Sequence, residues 1–428
     1  MFNSLLQQSD DILEIHFLGG ASEVGRSAIF LKGEENILLD YGIKIDGTVE
    51  TPMQAKGVNA FVLSHAHLDH SGFAPALYFG APPITLGTEP TLELSNLLIE
   101  DSMKLAVRRN QKQHFYKKQL ESFKRNYNAQ PYGSPTSVGK YTITLHDAGH
   151  ITGSALTLIE NKHNERRLLY TGDFKLAPQI LQSSAEIIKS DILITESTYA
   201  TREHPNREHL IKTFIEDIKS VLDNGGTALV PAFAVGRSQE ILAMLYKHGL
   251  IEYTYLDGMA QKATEIVLNY PNFTRHKDLL LSALKNARWV ENRPQRKSIL
   301  KNPSIIVTTA GMLNGGPAVS YITMLNQNSK IFLTGYQIPG TNGRLLLDGK
   351  PIVIDNKRYK IKNPVAFYDF SAHAGKEDLY SYIKKSNPET VICVHGDAEN
   401  TASLASSLEL EGYKAFAPKV GETIKVDL

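Results

Sequence analysis

The chain is short of cysteine. Cys393 is the only one in 428 residues, which excludes an internal disulfide and a cysteine-built zinc ribbon. Any bound metal must then be held by histidine and carboxylate side chains. A basic segment followed by a long apolar run is missing at the start, and no stretch approaches the ~20 apolar residues of a membrane-spanning helix. A soluble, cytoplasmic protein without membrane contact is expected. An excess of either charge is lacking too: 46 Lys and Arg against 45 Asp and Glu leave a net charge of +1. That balance does not argue against a nucleic-acid ligand, because basic groups can gather on one surface while the total stays near zero. Internal repeats and low-complexity tracts are absent, and a hydrophobic share of 42% speaks against disorder. The length exceeds the usual size of a single core, so two domains are expected.

The hydrophobic pattern divides the chain by texture. Short strand-like runs come first, at Ile12 to Leu18, Ala28 to Leu31, Asn36 to Asp40 and Ala60 to Leu63. A long helical stretch from Thr91 to Tyr127 follows, then strands near Tyr141 to His146, Ala155 to Glu160, Arg167 to Thr171 and Asp191 to Thr195. This reads as a sandwich of sheets with helices outside. From about residue 199 strands and helices alternate regularly: Thr227 to Val230, Gly236 to His248, Tyr253 to Leu256, Met259 to Tyr270, Ser304 to Thr308, Pro317 to Leu325, Lys330 to Thr334. That alternation belongs to a parallel sheet. Strands resume after Lys350, so residues 199–350 read as a domain inserted into a first domain made of 1–198 and 351–428.

The run His65-Ala66-His67-Leu68-Asp69-His70 places four potential ligands directly after an apolar strand and before a helical run from Ser71 to Phe79. His65 and His67 can face one ion while Asp69 and His70, at the start of the helix, face another. Asp40, His150, Asp173, Glu196, His373 and His395 each stand at or just after the end of a strand-like run, where sites gather if the fold brings strand ends together. Taken singly, each is an ordinary turn former; the set carries the signal.

Five further segments accompany these residues in order: Pro231-Ala232-Phe233-Ala234-Val235-Gly236-Arg237, Gly311-Met312-Leu313-Asn314-Gly315-Gly316-Pro317, Thr334-Gly335-Tyr336-Gln337, Phe370-Ser371-Ala372-His373-Ala374-Gly375 and Val394-His395-Gly396-Asp397. Together with the histidine-rich run they resemble the landmarks of the β-CASP branch of the metallo-β-lactamase superfamily, over nearly the whole chain. The resemblance implies an αββα sandwich carrying an inserted β-CASP domain built on a parallel sheet. It implies that His65, His67 and His150 hold one Zn2+, that Asp69, His70 and His395 hold a second, and that Asp173 bridges them. Nitrogen-rich ligation favours zinc over magnesium, and manganese stays compatible with the carboxylates. Asp40 is expected outside the ligand set, accepting a hydrogen bond from a ligand imidazole or from its loop.

The implied activity is a two-metal ribonuclease acting on single-stranded RNA as an endonuclease, a 5′-to-3′ exonuclease or both. Asp69 or Asp173 would orient the attacking water, and Glu196 would orient His373, which either protonates the leaving 3′ oxygen or only binds phosphate. Other readings are a DNA nuclease, a different hydrolase of the same fold, and last a non-catalytic scaffold. The inserted domain is expected to cover the metals. Ser371 and the turn at Gly315 and Gly316 are candidate phosphate contacts, the turn being as readily explained by packing, and Arg237 is a further candidate. Lys104, Arg108, Arg109, Lys112, Lys117, Lys118, Lys124 and Arg125 read first as a solvated helix face and second as an RNA track. A homodimer is expected from the resemblance. No additional RNA-binding module is expected before residue 10 or after residue 420. Cys393 reads as a small buried residue.

Overall fold

A computed structural model describes residues 12–46 and 48–428; the expectation about the segment before residue 10 lies outside them. The chain forms two compact units, one running to Pro178 and resuming at Ser183–Glu203 and His373–Leu428, the other comprising Gln179–Gln182 and His204–Ala372.

The first unit is built on two seven-stranded sheets. In one, Ile12–Gly19 pairs antiparallel with Thr423–Asp427 and with Ala28–Lys32, and Ile37–Leu39, Ala60–Val62 and Ile84–Gly87 then run parallel. In the other, Arg167–Tyr170, Ile192–Glu196 and Thr390–Val394 are parallel neighbours, and Ala155–Asn161 and Tyr141–Asp147 continue it antiparallel. Period-two alternation decides which side chains meet. Leu13, Ile15, Phe17, Ile29 and Leu31 from the first sheet share a core with Ile143, Ile159, Ile192, Ile194 and Ile392 from the second. Intervening residues such as Leu193 and Cys393 face helices Lys376–Ser386 and Ala398–Leu410, while Phe30, Leu38 and Phe61 face Leu120 and Phe123 of helix Lys117–Asn126. Both faces of the central strands are thus buried, which is why they read as continuous apolar runs. Burial of one such side chain, Phe61 for example, contributes roughly 1.5–3 kcal/mol. The expected αββα sandwich is present.

The second unit holds a six-stranded sheet in the order Arg288–Trp289, Thr254–Asp257, Ser304–Thr308, Thr227–Pro231, Lys330–Leu333, Val365–Phe367. Every pairing is parallel. This is the sheet that the regular alternation implied.

Several expectations are corrected. The helical stretch Thr91 to Tyr127 is two helices, Glu89–Arg108 and Lys117–Asn126, followed by strand Tyr127–Ala129. Asn110 takes a left-handed φ of 51° just past the first helix, a conformation that ends helical hydrogen bonding. The run Ser71 to Phe79 is not one helix either: Leu68–Ser71 forms a single turn and Ala74–Phe79 a 3-10 segment. Residues 351–372, grouped above with the first domain, pack in the second unit, because strand Val365–Phe367 is hydrogen-bonded beside Lys330–Leu333.

Candidate metal centre

Five parallel strands of the first unit end on one edge of the sandwich, and the residues that follow them supply most of the site. Asp40 follows Ile37–Leu39, the histidine-rich run follows Ala60–Val62, Asp173 follows Arg167–Tyr170, Glu196 closes Ile192–Glu196 and His395 follows Thr390–Val394. Crevices beyond the carboxyl ends of parallel strands are where sites form. Glu196 lies in register with Val394, so the chain ends carrying Glu196 and His395 are adjacent. Gly172 lets the chain turn between strand and Asp173: its φ is +52°, and a Cβ there would lie 2.8 Å from Ser64 Cβ.

Three sets of donors converge, each with its ligand atoms within 4.8 Å of one another: His65, His67, His150 and Asp173; Asp69, His70, Asp173 and His395; Asp173, Glu196 and His373. Asp173 belongs to all three. Its Oδ2 lies 3.4 Å from His65 Nε2 and 3.8 Å from His150 Nε2, and its Oδ1 lies 3.3 Å from His70 Nε2 and 3.1 Å from His395 Nδ1. His67 Nδ1 is 3.2 Å from His150 Nε2, and His395 Nε2 is 3.4 Å from Asp69 Oδ2. His65, His70, His150, Asp173 and His395 are buried.

Hydrogen bonds beneath the cluster fix its proton positions. Asp40, fully buried, accepts from Ser64 N at 2.7 Å through Oδ1, and from Ser64 Oγ, Tyr170 OH and His70 Nδ1, each at 2.7 Å, through Oδ2. Because the Ser64 hydroxyl proton goes to Asp40, Ser64 Oγ accepts from His65 Nδ1 at 3.0 Å. Both imidazoles therefore carry hydrogen on Nδ1 and turn Nε2 toward Asp173. Asp40 and His395 hold left-handed φ values of 56° and 48°, a strained backbone of the kind that clusters at functional sites. Ser64 and Tyr170 are contributors that the sequence reading passed over; the only signal was a hydroxyl at the end of each apolar strand.

The electrostatics follow from burial and proximity. Burial, then the neighbouring His70, hold His65 well below the usual imidazole range. At His70 burial pulls the same way, but Asp173 and Asp40 outweigh it and raise the group well above that range. Asp173 resists protonation: burial pushes it up, yet His395, His70 and His373 bring it well below the usual carboxylate range. His373 feels burial too, but Glu196 and Asp173 hold it up to about 9. Its Nδ1 donates to Glu196 Oε2 at 2.9 Å, while Glu196 Oε1 accepts from Phe174 N at 2.9 Å.

The donor set fits divalent cations. His65 Nε2 and Asp173 Oδ1 are buried without a hydrogen-bond partner, in a cavity wall made of imidazole nitrogens and carboxylate oxygens. Unsatisfied buried donors and acceptors are costly unless an ion takes them up. Nitrogen-rich ligation of this kind suits zinc.

The remaining candidates lie in the second unit. Ser371 and Arg237 are buried there. Gly315 and Gly316 open the seven-residue helix Gly316–Ile322, and a Cβ on Gly316 would lie 2.8 Å from Thr309 O, so packing alone requires glycine.

Three family descriptions match the chain: the Beta-Casp domain over residues 238–346, the Zn-dependent metallo-hydrolase RNA specificity domain over 358–418, and the anti-Pycsar protein Apyc1 over 19–222. Among named relatives, Probable RNase MJ4 of Methanocaldococcus jannaschii is 39% identical, covering 97% of this chain and 100% of its own length. RNase aCSPSF2 of Saccharolobus solfataricus is 35% identical, over 96% of this chain and 85% of its own. Transcription termination factor FttA of Methanocaldococcus jannaschii is 31% identical, over 99% and 73%. A crystal structure of a protein of unknown function from Enterococcus faecalis shares the fold, with a TM-score of 0.61 at 16% identity, over 97% of this chain and 100% of that one.

Proposed function

This chain belongs to the β-CASP branch of the metallo-β-lactamase family, and on that premise we propose that it is a metal-dependent ribonuclease that hydrolyses RNA phosphodiester bonds. The observation that carries the reading is the convergence of six potential ligand side chains on buried Asp173, four of them buried as well, with His65 and His70 oriented from beneath by Asp40 and Ser64. In this reading His65, His67 and His150 hold one Zn2+, Asp69, His70 and His395 hold a second, and Asp173 serves both. Divalent ions bound there would make water acidic enough to attack phosphorus at neutral pH and would take up charge on the phosphoryl oxygens.

The chain's own residues do the rest. Asp69 and Asp173 accept hydrogen bonds from the attacking water and orient it. His373, protonated and committed through Nδ1 to Glu196, has Nε2 as the atom that gives its proton to the departing 3′ oxygen. Glu196 is itself pinned by Phe174 N, so it orients the imidazole. The products would be a 5′-phosphate and a 3′-hydroxyl, since no 2′-hydroxyl takes part. Single-stranded RNA in the cytoplasm and a homodimer in solution complete the reading, and sedimentation velocity tests the dimer. Among the described residues no helix is long and apolar enough to cross a membrane.

The experiment is incubation of zinc-loaded protein with end-labelled linear RNA, circular RNA and single-stranded DNA, each with and without chelator. Cutting of the circle identifies an endonuclease, and mononucleotides released from the 5′ end identify an exonuclease. RNA left intact by the zinc-loaded protein, or cut equally by a His67→Ala variant, would overturn the proposal.

A further inference from the structure

We propose that the basic elbow between helices Glu89–Arg108 and Lys117–Asn126 is a docking surface for single-stranded RNA beside the metal centre. The inference deepens the ribonuclease reading and rests on it for the identity of the strand. Residues 104–125 carry eight Lys and Arg and one carboxylate, Glu121, a net of +7 in a chain whose total is +1. The rest of the protein is accordingly net acidic.

A solvated helix face ordinarily mixes both signs and pairs them along the helix. Part of the elbow follows that rule: Lys124 lies 3.0 Å from Glu100 and 3.7 Å from Glu121, and Lys104 and Arg108 act on Asp101 of their own helix. Among the described residues Lys112, Lys117, Lys118 and Arg125 have no ion-pair partner, and all four are exposed. Tyr116 stands among them 60% exposed, between the elbow and the second helix. Unpaired cations around an exposed aromatic ring are the elements of a single-strand surface: the cations follow the phosphates and the ring offers a face on which a base of any sequence stacks.

The elbow is tied to the metal-ligand run. Tyr41 N donates to His70 O at 2.8 Å, and Phe73 N donates to Tyr41 O at 2.8 Å. The rings of Tyr41 and Phe73 lie 4.9 Å apart, and Phe73 meets His114 edge-on at 5.6 Å and Phe115 at 6.4 Å. The elbow thus packs against Phe73, three residues beyond His70, in the segment that presents the proposed ligands Asp69 and His70. Non-specific attraction by phosphate would extend the footprint of the enzyme beyond the bond being cut, and long RNAs would gain more than short ones.

The test compares the full-length zinc-loaded protein with a variant combining Lys112→Ala, Lys117→Ala and Lys118→Ala, and with Tyr116→Ala and Tyr116→Phe. Binding of a nuclease-resistant single-stranded RNA of about 20 nucleotides is followed against salt, alongside cleavage of a tetranucleotide. In the triple variant the long RNA is expected to bind at least about tenfold more weakly at low salt, and the slope of log Kd against log salt to fall by about 2, since each phosphate contact on a single strand contributes about 0.7. Tetranucleotide cleavage should stay unchanged in that variant. Tyr116→Phe should bind as the parent does and Tyr116→Ala about tenfold more weakly. Unchanged long-RNA affinity and salt slope in the triple variant would overturn the proposal while leaving the ribonuclease reading intact. A parent protein that binds long RNA through the elbow yet cleaves none would sink the ribonuclease reading and leave the docking surface standing.

Discussion

Asp40 has no exposed surface and receives four hydrogen bonds, two from Ser64 and one each from Tyr170 and His70. Removing it in Asp40→Ala leaves those donors buried and unsatisfied, so urea denaturation should show a loss of about 3–5 kcal/mol. Zinc affinity should fall about 10–100-fold, because two ligand imidazoles lose their orientation; full affinity in competition with a chelating dye would refute that role. His373 is different in kind, since it lies outside the two proposed ion sites and reaches the cluster through Glu196 and Asp173. His373→Ala is expected to keep its zinc and lose about 10²–10⁴ in kcat on RNA. Asp147 offers a pH signature: burial pushes its carboxyl up to about 6 against the pull of the Gly149 N–H, and Glu186 adds to the rise. A raised acid pKa means that the folded state resists ionisation. Stability is therefore greatest below the unfolded value near ~3.9 and declines as pH rises toward about 6, above which the penalty is constant. Asp147→Asn keeps an oxygen for Gly149 N and should raise stability by about 1–2 kcal/mol at pH 7, after allowance for partial exposure, with little change at pH 4. Equal effects at both pH values would refute the cause given.

The histidine-rich run is held as an element by backbone rather than by its own helix. Ser27 N donates to Asp69 O at 2.8 Å, Tyr41 N to His70 O at 2.8 Å and Ile43 N to Leu68 O at 2.9 Å. Such close contact demands glycine at position 42, where a Cβ would fall 1.8 Å from Asp69 O. Gly42→Ala should cost at least ~2 kcal/mol through forced displacement of the loop. The displaced residues are Asp69 and His70, not His65 and His67, so zinc stoichiometry by atomic absorption should fall toward one per chain; two retained zinc ions would contradict this account. The sequence made the strands of this unit legible because their period-two patterns are local. It misread the helices around the site, joining Glu89–Arg108 to Lys117–Asn126 and extending a single turn to Phe79, since a left-handed residue such as Asn110 and a short turn leave little trace in hydrophobic period.

At the scale of the molecule, the proposed ligand set joins the two sheets of the first unit: His65 follows a strand of one, and His150, Asp173 and His395 follow strands of the other. Ion binding to the folded state alone should stabilise it by about 4 kcal/mol at a thousandfold excess over Kd. Chelation is therefore expected to lower Tm by several degrees, reversibly on adding zinc, and an unchanged Tm would argue against structural coupling of the site. Cys393, fully buried between strand Thr390–Val394 and the outer helices, reports on this: its thiol should react with Ellman's reagent only as the unit opens, and faster after chelation. The sequence by itself determined that any metal would be held by histidine and carboxylate, because there is one cysteine, and that His65, His67, Asp69 and His70 would be neighbours, because six residues cannot separate far. It also determined the sandwich and the parallel sheet through hydrophobic period. The family resemblance grouped His70 with His395, 325 residues apart, and the tertiary structure supplied the contact itself, Nε2 to Nε2 at 3.3 Å. The tertiary structure alone gave Asp40, Ser64 and Tyr170 one shared network and carried residues 351–372 into the second unit. Strand order and register are set by pairing between distant segments, whose energetics no local window contains.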